Sequence, residues 1–514
     1  MANGCWEEER RALLELQENI MSSNGELLVD WAGYNANGFI DCCFWKKVKC
    51  SLETGRVIKL DLAARYGSGD DWRFKASLFL PFKSLQVLLL SKRNIIGWTK
   101  NEGFSKLRQL PNLKKVDLQY NPIHPKVLLS SLCSISSLEV LKLGMVSKIC
   151  GVLTNLRELK FRGYGINDIN ILFALDIIAL RNLKYLNLWN NNMESFVTSK
   201  ALRNLSMVEY LYLDGSSLND NFLANIGQMT SLKVLSMPAG ENNGTLPNQD
   251  GNQLSGKFPT WLLENNTRLA GIYGDNNAFN GPFKLPLNCL LHLETIDVSN
   301  NNLNGPIPEN MSLAFPKLTS LNMSQNYLEG PIPSKISGIH LEILDLSANT
   351  LSGEVPSDLT IGSPQLFYLR LSNNKLKGRI FSEEVRPHLL SFLYLNDNNF
   401  EGALPSNIFL SSLVALDASR NNFSGEIPGC IRDNRRLLQL DLSKNHFDGS
   451  IPVEICNLKL IRVLAISENR LSGFIPSCMS SLPLEHIHLE RNQLGGTLVM
   501  TLLVISVSCL LCVV

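Results

Sequence analysis

Residues 440–452 read LDLSKNHFDGSIP, and almost the same phrase returns as LDASRNNFSGEIP at Leu416 and LAISENRLSGFIP at Leu464. The period of the phrase is 23 to 25 residues, maintained over more than two hundred residues. Such self-similarity predicts a solenoid of stacked coils. Its marker asparagines are Asn277, Asn301, Asn326, Asn349, Asn374, Asn398, Asn421, Asn445, Asn469 and Asn492.

The chemistry of one copy explains why it repeats. In LDL at Leu440 the two leucines point inward from a short strand, and Asp441 points outward. The Asn445 amide can donate to and accept from the backbone of neighbouring coils. Gly449 permits a tight turn, and Pro452 holds the next backbone segment extended. We therefore expect a curved α/β solenoid whose parallel β-sheet presents the outward strand positions on a concave face.

Earlier copies are less regular, and most lack GxIP, which predicts short helices or loops on the outer edge. Two stretches, near residues 145–164 and 238–252, are short for a coil. We interpret the second as missing sequence rather than a local kink, because GNQLSGKFP at Gly251 resumes in mid-coil. About 19 full or partial repeats then occupy residues 57–497. The early strands contain Leu60, Leu88, Val116, Leu141, Leu159, Leu186, Leu211 and Leu235.

Residues 1–56 are expected to form a cap over the first coil. Residues 6–20 carry apolar side chains at three- and four-residue steps, as in an amphipathic helix. Four cysteines crowd the same region, which predicts a disulfide-stapled cap in an oxidising compartment. A zinc site is less favoured because the spacing is not CxxC. Adjacent cysteines pair poorly, so Cys5 pairs with Cys42 or Cys43, and Cys50 with the other.

The two ends of the chain point to different compartments. Residues 498–514 are uncharged and apolar, and the length of this segment is the lower limit for a helix that crosses a bilayer. No Lys or Arg follows the segment to hold it in a membrane. We favour an aberrant or truncated terminus over membrane association through this tail. No apolar leader precedes Cys5. Six candidate N-glycosylation sequons nevertheless favour secretion, at Asn204, Asn243, Asn265, Asn310, Asn322 and Asn422.

Cap and repeats together resemble plant receptor-like proteins, which are leucine-rich-repeat cell-surface receptors without a kinase. The resemblance covers residues 5–497 and rests on CWEEERRALLEL at Cys5, DCCFWKKVKC at Asp41, TGRVIKLDL at Thr54 and the LxxNxLxGxIP repeats. It implies a leucine-rich-repeat solenoid at the extracellular face of the plasma membrane, or secreted. Such a protein binds a peptide, glycan or protein ligand for defence or development, through a partner co-receptor kinase. We expect a truncated form of this kind.

Two other classes of function remain open. A secreted inhibitor of microbial cell-wall hydrolases, or a non-signalling decoy, would use the same architecture. A cytosolic scaffold would need Cys5, Cys42, Cys43 and Cys50 to be reduced. With a formal net charge of +1, the chain lacks the excess of basic residues that is typical of nucleic-acid-binding proteins.

Candidate ligand contacts are outward residues on the concave face, because exposed Tyr, Trp and Arg are enriched at binding hot spots. The alternative is that these rings only cover neighbouring strands and stabilise the sheet. The first cluster comprises Lys160, Arg162, Tyr185, Trp189, Tyr210, Tyr212 and Asp214, followed by Tyr273. The second comprises Tyr368, Arg370, Phe392 and Tyr394.

Motifs for catalysis or cofactors carry little weight. GNQLSGK at Gly251 matches the start of a phosphate-binding loop, but Phe258 occupies the Ser/Thr position, so we interpret its glycines as repeat glycines. His486, His488 and Glu490 alternate along one strand and could share a face, but we predict no metal there. Catalytic signatures are missing from the sequence, so we predict neither an enzyme nor a cofactor.

Overall fold

The computed structural model describes two compact units of the chain, Met1–Gln253 and Leu254–Val514. The tail at 498–514, the irregular stretch at 239–253 and residues 145–152 lie outside the described residues. Described are residues 5–24, 31, 34–35, 38–39, 41–64, 71–123, 128, 131–132, 134–144, 153, 155–161, 182–190, 205–216, 226, 229–238, 254–357, 359, 363–380, 389–410 and 412–495.

The main sheet of the first unit is built from the predicted LxL strands. Its first two strands are antiparallel and all later neighbours are parallel. Leu141 pairs with Leu159, so the short coil between them keeps the register. The strands are Val48–Cys50, Val57–Asp61, Val87–Leu89, Lys115–Asp117, Val140–Leu143, Glu158–Phe161, Tyr185–Asn187, Tyr210–Tyr212 and Val234–Ser236.

Smaller elements lie in the cap and between the main-sheet strands of the first unit. Trp72–Phe74 pairs in parallel with Ile95–Trp98, and Tyr34–Asn35 forms a hairpin with Gly38–Phe39. The 3-10 helices are Cys42–Phe44, Ala76–Phe79 and Phe104–Gln109.

The cap begins with an α-helix, Glu7–Asn24, which ends four residues beyond the predicted end. Leu13, Leu16 and Ile20 are buried along its inner face, as the spacing predicts. The disulfides are Cys5–Cys42 and Cys43–Cys50, which selects one of the two pairings left open by the sequence.

Glu9 is a buried carboxylate at the junction between the cap and the first coil. Its Oε2 accepts a hydrogen bond of 3.0 Å from the Val57 amide, and its Oε1 lies 3.6 Å from Arg56 Nη1. Burial raises the pKa of Glu9 above its ordinary 4.5, outweighing the Val57 and Arg56 contacts that lower it. The folded chain therefore holds this proton more tightly than the unfolded chain does.

Glu9 should make the cap less stable as the pH rises. The stabilisation from its protonated form is complete below the unfolded pKa of 4.5 and is lost as pH rises through the higher folded pKa. We expect Glu9→Gln to flatten the fall in cap melting temperature above pH 4.5, measured by thermal denaturation across pH. The exposed Glu8→Gln should keep the wild-type slope. Equal slopes in the two variants would contradict this assignment.

The second unit stacks more regular coils, each with one strand in each of two sheets. Its main sheet is parallel throughout, with the LxL leucines in register, as at Leu440 and Leu464. The strands are Gly271–Tyr273, Thr295–Asp297, Ser320–Asn322, Ile343–Asp345, Tyr368–Arg370, Phe392–Tyr394, Ala415–Asp417, Gln439–Asp441, Val463–Ala465 and His486–His488.

A second set of parallel strands, here called the second sheet, follows the repeat asparagines. Its first nine strands form one continuous sheet, and the last two form a pair that is linked to it by a bridge between Ser450 and Ser472. The second sheet opens with Ser255–Lys257, so the described part of this unit begins in mid-coil. The strands are Ser255–Lys257, Ala278–Pro282, Asn302–Gly305, Tyr327–Gly330, Thr350–Glu354, Lys375–Gly378, Asn399–Gly402, Asn422–Glu426, His446–Asp448, Ser472–Phe474 and Gln493–Gly495. The helices are Thr260–Asn265 and Met311–Ala314, and the 3-10 helices are Ser334–Gly338, Ser406–Leu410, Gly429–Asp433, Val453–Asn457 and Ser477–Ser481.

The repeat asparagines form an interior ladder, as predicted. Asn301 Nδ2 donates to the Gly274 carbonyl of the preceding coil at 2.9 Å and to the Val298 and Ser299 carbonyls of its own coil. Its Oδ1 accepts from the Phe279 amide at 3.0 Å. Each asparagine thereby satisfies backbone groups that burial would otherwise leave unpaired. The same pattern holds at Asn326, Asn349, Asn374, Asn398, Asn421, Asn445, Asn469 and Asn492.

Beside the ladder runs a stack of phenylalanine rings. Phe400, Phe423 and Phe447 are fully buried, and successive centroids lie 6.1 and 6.2 Å apart. Each coil thus buries its apolar residues against the next one, which is why a coil cannot fold alone. Among the described helices, none is both long enough and apolar enough to cross a bilayer.

Candidate ligand-binding face

Four members of the first predicted cluster, Lys160, Tyr185, Tyr210 and Tyr212, lie together on the concave face of the first unit. The Tyr185 ring stacks on Tyr212 and Tyr210, with centroid distances of 5.1 and 6.2 Å. Lys160, on the adjacent strand, holds its Nζ 4.5 Å from the centre of the Tyr185 ring. All four side chains are half-buried. They form a platform of π-faces with a cation at one side.

Close contacts shift the pKa values of two lysines beside this platform, Lys160 and Lys142. Lys160 pairs with Glu158 at 3.1 Å. Burial acts to lower the pKa of Lys160, but the hydrogen bond and charge of Glu158, together with Tyr185, outweigh it, so the net shift of this pKa is upward. Lys142 lies beside Lys160 in register, and burial together with the like charges of Lys160 and Lys115 lowers its pKa. Lys142 was not predicted, although its outward position in LKL was readable from the sequence.

The remaining members of the first cluster behave differently. Trp189 is half-buried just beyond the strand end, and its backbone amide donates to Asn187 Oδ1 at 3.0 Å. Asp214 accepts a 2.5 Å hydrogen bond from the Ser236 hydroxyl, and burial raises the pKa of Asp214. Arg162 lies outside the described residues.

A charged contact that the sequence did not reveal lies along the same strands. Glu209 accepts hydrogen bonds from Lys184 at 2.8 Å and from Lys233 at 2.6 Å. These two bonds lower the pKa of Glu209 to about 2. The trio joins three coils, because the residues come from turns that precede successive strands.

The second cluster also comes together, on the main sheet of the second unit. Tyr368 lies 6.1 Å from Phe392 and 5.9 Å from Tyr394, centroid to centroid. Arg370 Cζ lies 5.8 Å from the Tyr394 ring, and its Nε donates to Ser372 Oγ at 3.2 Å. Burial, with the Asp345 charge, raises the pKa of Tyr368. Tyr273, which was predicted to follow the first cluster, lies half-buried on the first main-sheet strand of the second unit.

Small polar residues fill other outward positions, and they have a structural role. Ser443 Oγ donates to Asp441 Oδ1 at 2.6 Å, and the Ser443 amide donates to the same oxygen at 2.9 Å. The same turn recurs at Asp417 with Ser419, where burial raises the pKa of Asp417. Such side-chain turns end the strand. The aromatic clusters are therefore the distinctive part of the concave face.

Comparison with known proteins identifies the group to which the chain belongs. Cuscuta receptor 1 of tomato, Solanum lycopersicum, is 54% identical over 751 aligned positions, which take in 97% of this chain and 67% of that protein. This chain is a plant leucine-rich-repeat receptor-like protein. Receptor-like protein 14 of Arabidopsis thaliana is 28% identical over 61% of this chain and 44% of its own length. The Leucine Rich Repeat model matches residues 292–313, 317–339, 340–360, 412–434 and 436–458.

Solved structures support the same fold. The Arabidopsis receptor kinase HAESA, solved with the peptide hormone IDA and the co-receptor SERK1, has a TM-score of 0.60 at 25% identity, covering 95% of this chain and 86% of that one. A TDR receptor has a TM-score of 0.58 at 25% identity, covering 82% and 67%. This receptor-like protein spans two thirds of its tomato relative and less than half of the Arabidopsis relatives.

Two motifs of this receptor-like protein, the phosphate-loop match at Gly251 and the histidines at 486 and 488, belong to repeats. Ser255–Lys257, the described end of the phosphate-loop match, is an exposed second-sheet strand, and Phe258 is buried against Phe279 and Phe283. His486 and His488 share a strand face as predicted, and His488 Nδ1 lies 3.8 Å from Glu490. Within the described residues, the group whose ligand atoms converge closely enough for a metal is Cys5, Asp41 and Cys42, whose sulfurs are bonded to each other.

The sequons of this receptor-like protein occupy unlike positions. Asn310 and Asn422 are exposed. Asn322 is on the concave face, and its carboxamide is engaged with Asp297 at 3.0 Å and with Ser324. Asn265 ends a helix, while Asn204 and Asn243 lie outside the described residues. Glycosylation at these sites stays a prediction.

A disulfide between Cys456 and Cys478 was not predicted from the sequence. They are bonded, 22 residues apart in consecutive coils. The available signal was that both closely follow the proline of an IP turn, at Pro452 and Pro476.

Proposed function

We propose that this chain is the recognition module of a plant cell-surface receptor and has no catalytic activity of its own. A peptide or protein ligand lies on the concave face of the first unit, over Tyr185, Tyr210 and Tyr212. The observation that supports this most is the stacking of these half-exposed rings beside Lys160 and Lys142, where regular coils carry turn-forming Asp and Ser. Stacked aromatics flanked by cations suit a peptide with aromatic and acidic side chains.

The ligand source and the signalling route follow from the relatives. The tomato relative is named as a receptor for Cuscuta, and the HAESA structure holds a peptide hormone and a co-receptor. We propose that this chain likewise recognises a Cuscuta-derived ligand outside the cell and signals through a partner kinase. The alternative is a glycan ligand. Protease treatment of the Cuscuta extract distinguishes a peptide ligand from a glycan ligand.

The concave-face proposal is tested by removing two aromatic side chains. The purified chain is immobilised, and capture from a Cuscuta extract is measured by biolayer interferometry with and without protease treatment. Trp189→Ala with Tyr212→Ala should weaken capture about tenfold or more, because buried aromatic contacts dominate interfaces. The melting temperature should hardly change, because both rings are half-exposed.

Tyr327→Ala is the matched control, since this ring is 61% exposed on the second sheet, away from the concave face. It should leave capture unchanged. If the double variant loses stability but keeps its capture, the aromatics serve only the sheet. If protease treatment leaves capture intact, the ligand is not a peptide.

A further inference from the structure

A pocket of about 640 Å³, here called the lateral pocket, lies on the second-sheet side of the second unit. Three successive repeats contribute to it, between Glu426 and Cys478. It is separate from both aromatic clusters, because its wall comes from the GxIP turns rather than from the LxL strands.

The apolar wall of the lateral pocket is unusually exposed. Phe474 is 80% exposed and Val453 is 64% exposed. Phe474 occupies the position between the repeat glycine, Gly473, and the isoleucine of the IP turn, Ile475. An exposed aromatic ring beside a recess is typical of a surface that a partner covers. The equivalent residues in the other described coils of this unit are not aromatic, being Lys257, Pro282, Pro306, Pro331, Glu354, Arg379, Ala403, Glu426 and Ser450.

Two carboxylates, those of Glu426 and Glu454, also line the lateral pocket. A Cβ added at Gly449 would lie 2.7 Å from Glu426 Cγ, and one added at Gly429 would lie 3.4 Å from Glu454 Cδ. The two side chains therefore lie over glycines of neighbouring coils, and both line the lateral pocket.

Neither carboxylate is neutralised within the described part of the chain. Of the cations nearby in sequence, Arg420 lies 3.6 Å from Asp397, Arg432 lies 3.9 Å from Asp433, and Lys444 lies 3.4 Å from Glu468. Lys459 is the nearest to Glu454 in sequence, and within the described coils it forms no ion pair with that carboxylate. A partner that supplies a positive charge would complete these interactions.

The Cys456–Cys478 disulfide holds the walls of the pocket together. It joins the 3-10 helix Val453–Asn457 to the 3-10 helix Ser477–Ser481. The first helix carries Val453 and Glu454, and the second follows directly on the strand that ends at Phe474. A recess fixed in this way loses little conformational entropy when it is occupied.

We propose that the lateral pocket binds an arginine or lysine side chain of a protein partner. The cationic head lies between Glu426 and Glu454, and the aliphatic stem packs against Phe474 and Val453. Arginine is favoured over lysine because its planar guanidinium stacks on an aromatic face while it donates to carboxylates. This site does not depend on the ligand proposed for the concave face.

The test uses the full chain and fluorescein-labelled triarginine, followed by fluorescence anisotropy, with tricitrulline as the uncharged peptide of similar shape. The wild type should bind triarginine at least about fivefold more tightly, since two partly exposed ion pairs are each of modest strength. Glu426→Gln with Glu454→Gln should abolish most of this preference. Phe474→Ala should weaken triarginine binding as well.

Glu329→Gln with Glu401→Gln is the matched control, since both are exposed second-sheet carboxylates away from the pocket. It should retain the wild-type preference, and thermal melting of every variant verifies folding. The proposal is overturned if the wild type does not distinguish arginine from citrulline. It is also overturned if the pocket variant and the control variant lose the preference equally, or if Phe474→Ala has no effect.

Discussion

Asn301→Ala is expected to lower the free energy of unfolding of the second unit by about 3 kcal/mol. The substitution removes three donated hydrogen bonds and leaves the Phe279 amide without its acceptor in the core. Each buried backbone group left unpaired costs about 1–3 kcal/mol, and at least two are orphaned here. The loss should concentrate in the coils on either side of Asn301, because each coil is stabilised by its neighbours.

The adjacent residue supplies the control for this prediction. Asn302 is exposed at the start of a second-sheet strand, so Asn302→Ala should change the free energy by less than about 0.5 kcal/mol. Urea unfolding measures the total effect, and hydrogen exchange at the Phe279 amide locates it. Similar losses in the two variants would show that the ladder is not what stabilises the coils.

Removing the cap disulfides should destabilise the cap unequally. The Cys5–Cys42 bond closes a sequence separation of 37 residues, whereas Cys43–Cys50 closes one of 7. Loop-closure entropy then gives about 4 kcal/mol for the first bond and about 2 kcal/mol for the second. The buried position of Cys42 adds to the difference, since its replacement also loses packing.

Two double variants test this order, Cys5→Ala with Cys42→Ala and Cys43→Ala with Cys50→Ala. Urea unfolding followed by the fluorescence of Trp31 and Trp45, which stack at 5.9 Å in the cap, reports the change. Cys289→Ala, which removes an exposed free thiol, should have almost no effect. A larger loss from the short loop would mean that the closed loop length does not govern the stability of this cap.

The periodic features were predictable because each repeat of a solenoid makes the same local contacts wherever its sequence pattern recurs. The inward leucines, the asparagine ladder at Asn301 and its equivalents, and the strands back to Leu60 all follow from a local pattern that the structure confirms. The cap helix was also predicted, although its end was not, since no glycine or proline stops it at residue 20.

Features that join different coils were harder to predict. The partner of Cys5 was open because adjacent cysteines look equivalent in sequence. In the structure Asp41 Oδ1 accepts from the amides of both Cys5 and Cys43, and Cys5 is bonded to Cys42. Cys456 and Cys478 sit at different distances from their prolines, so no single column of the repeat revealed the pair.

The amino-acid sequence by itself determined the repeating coil, its buried apolar rows and the membership in plant receptor-like proteins, because these depend on contacts that recur every two dozen residues. Only the tertiary structure decided which outward rings stack, which carboxylates lack a cation in the described coils, and where a recess opens. Those properties depend on side chains brought together from successive coils, and their orientation is set by packing rather than by sequence spacing.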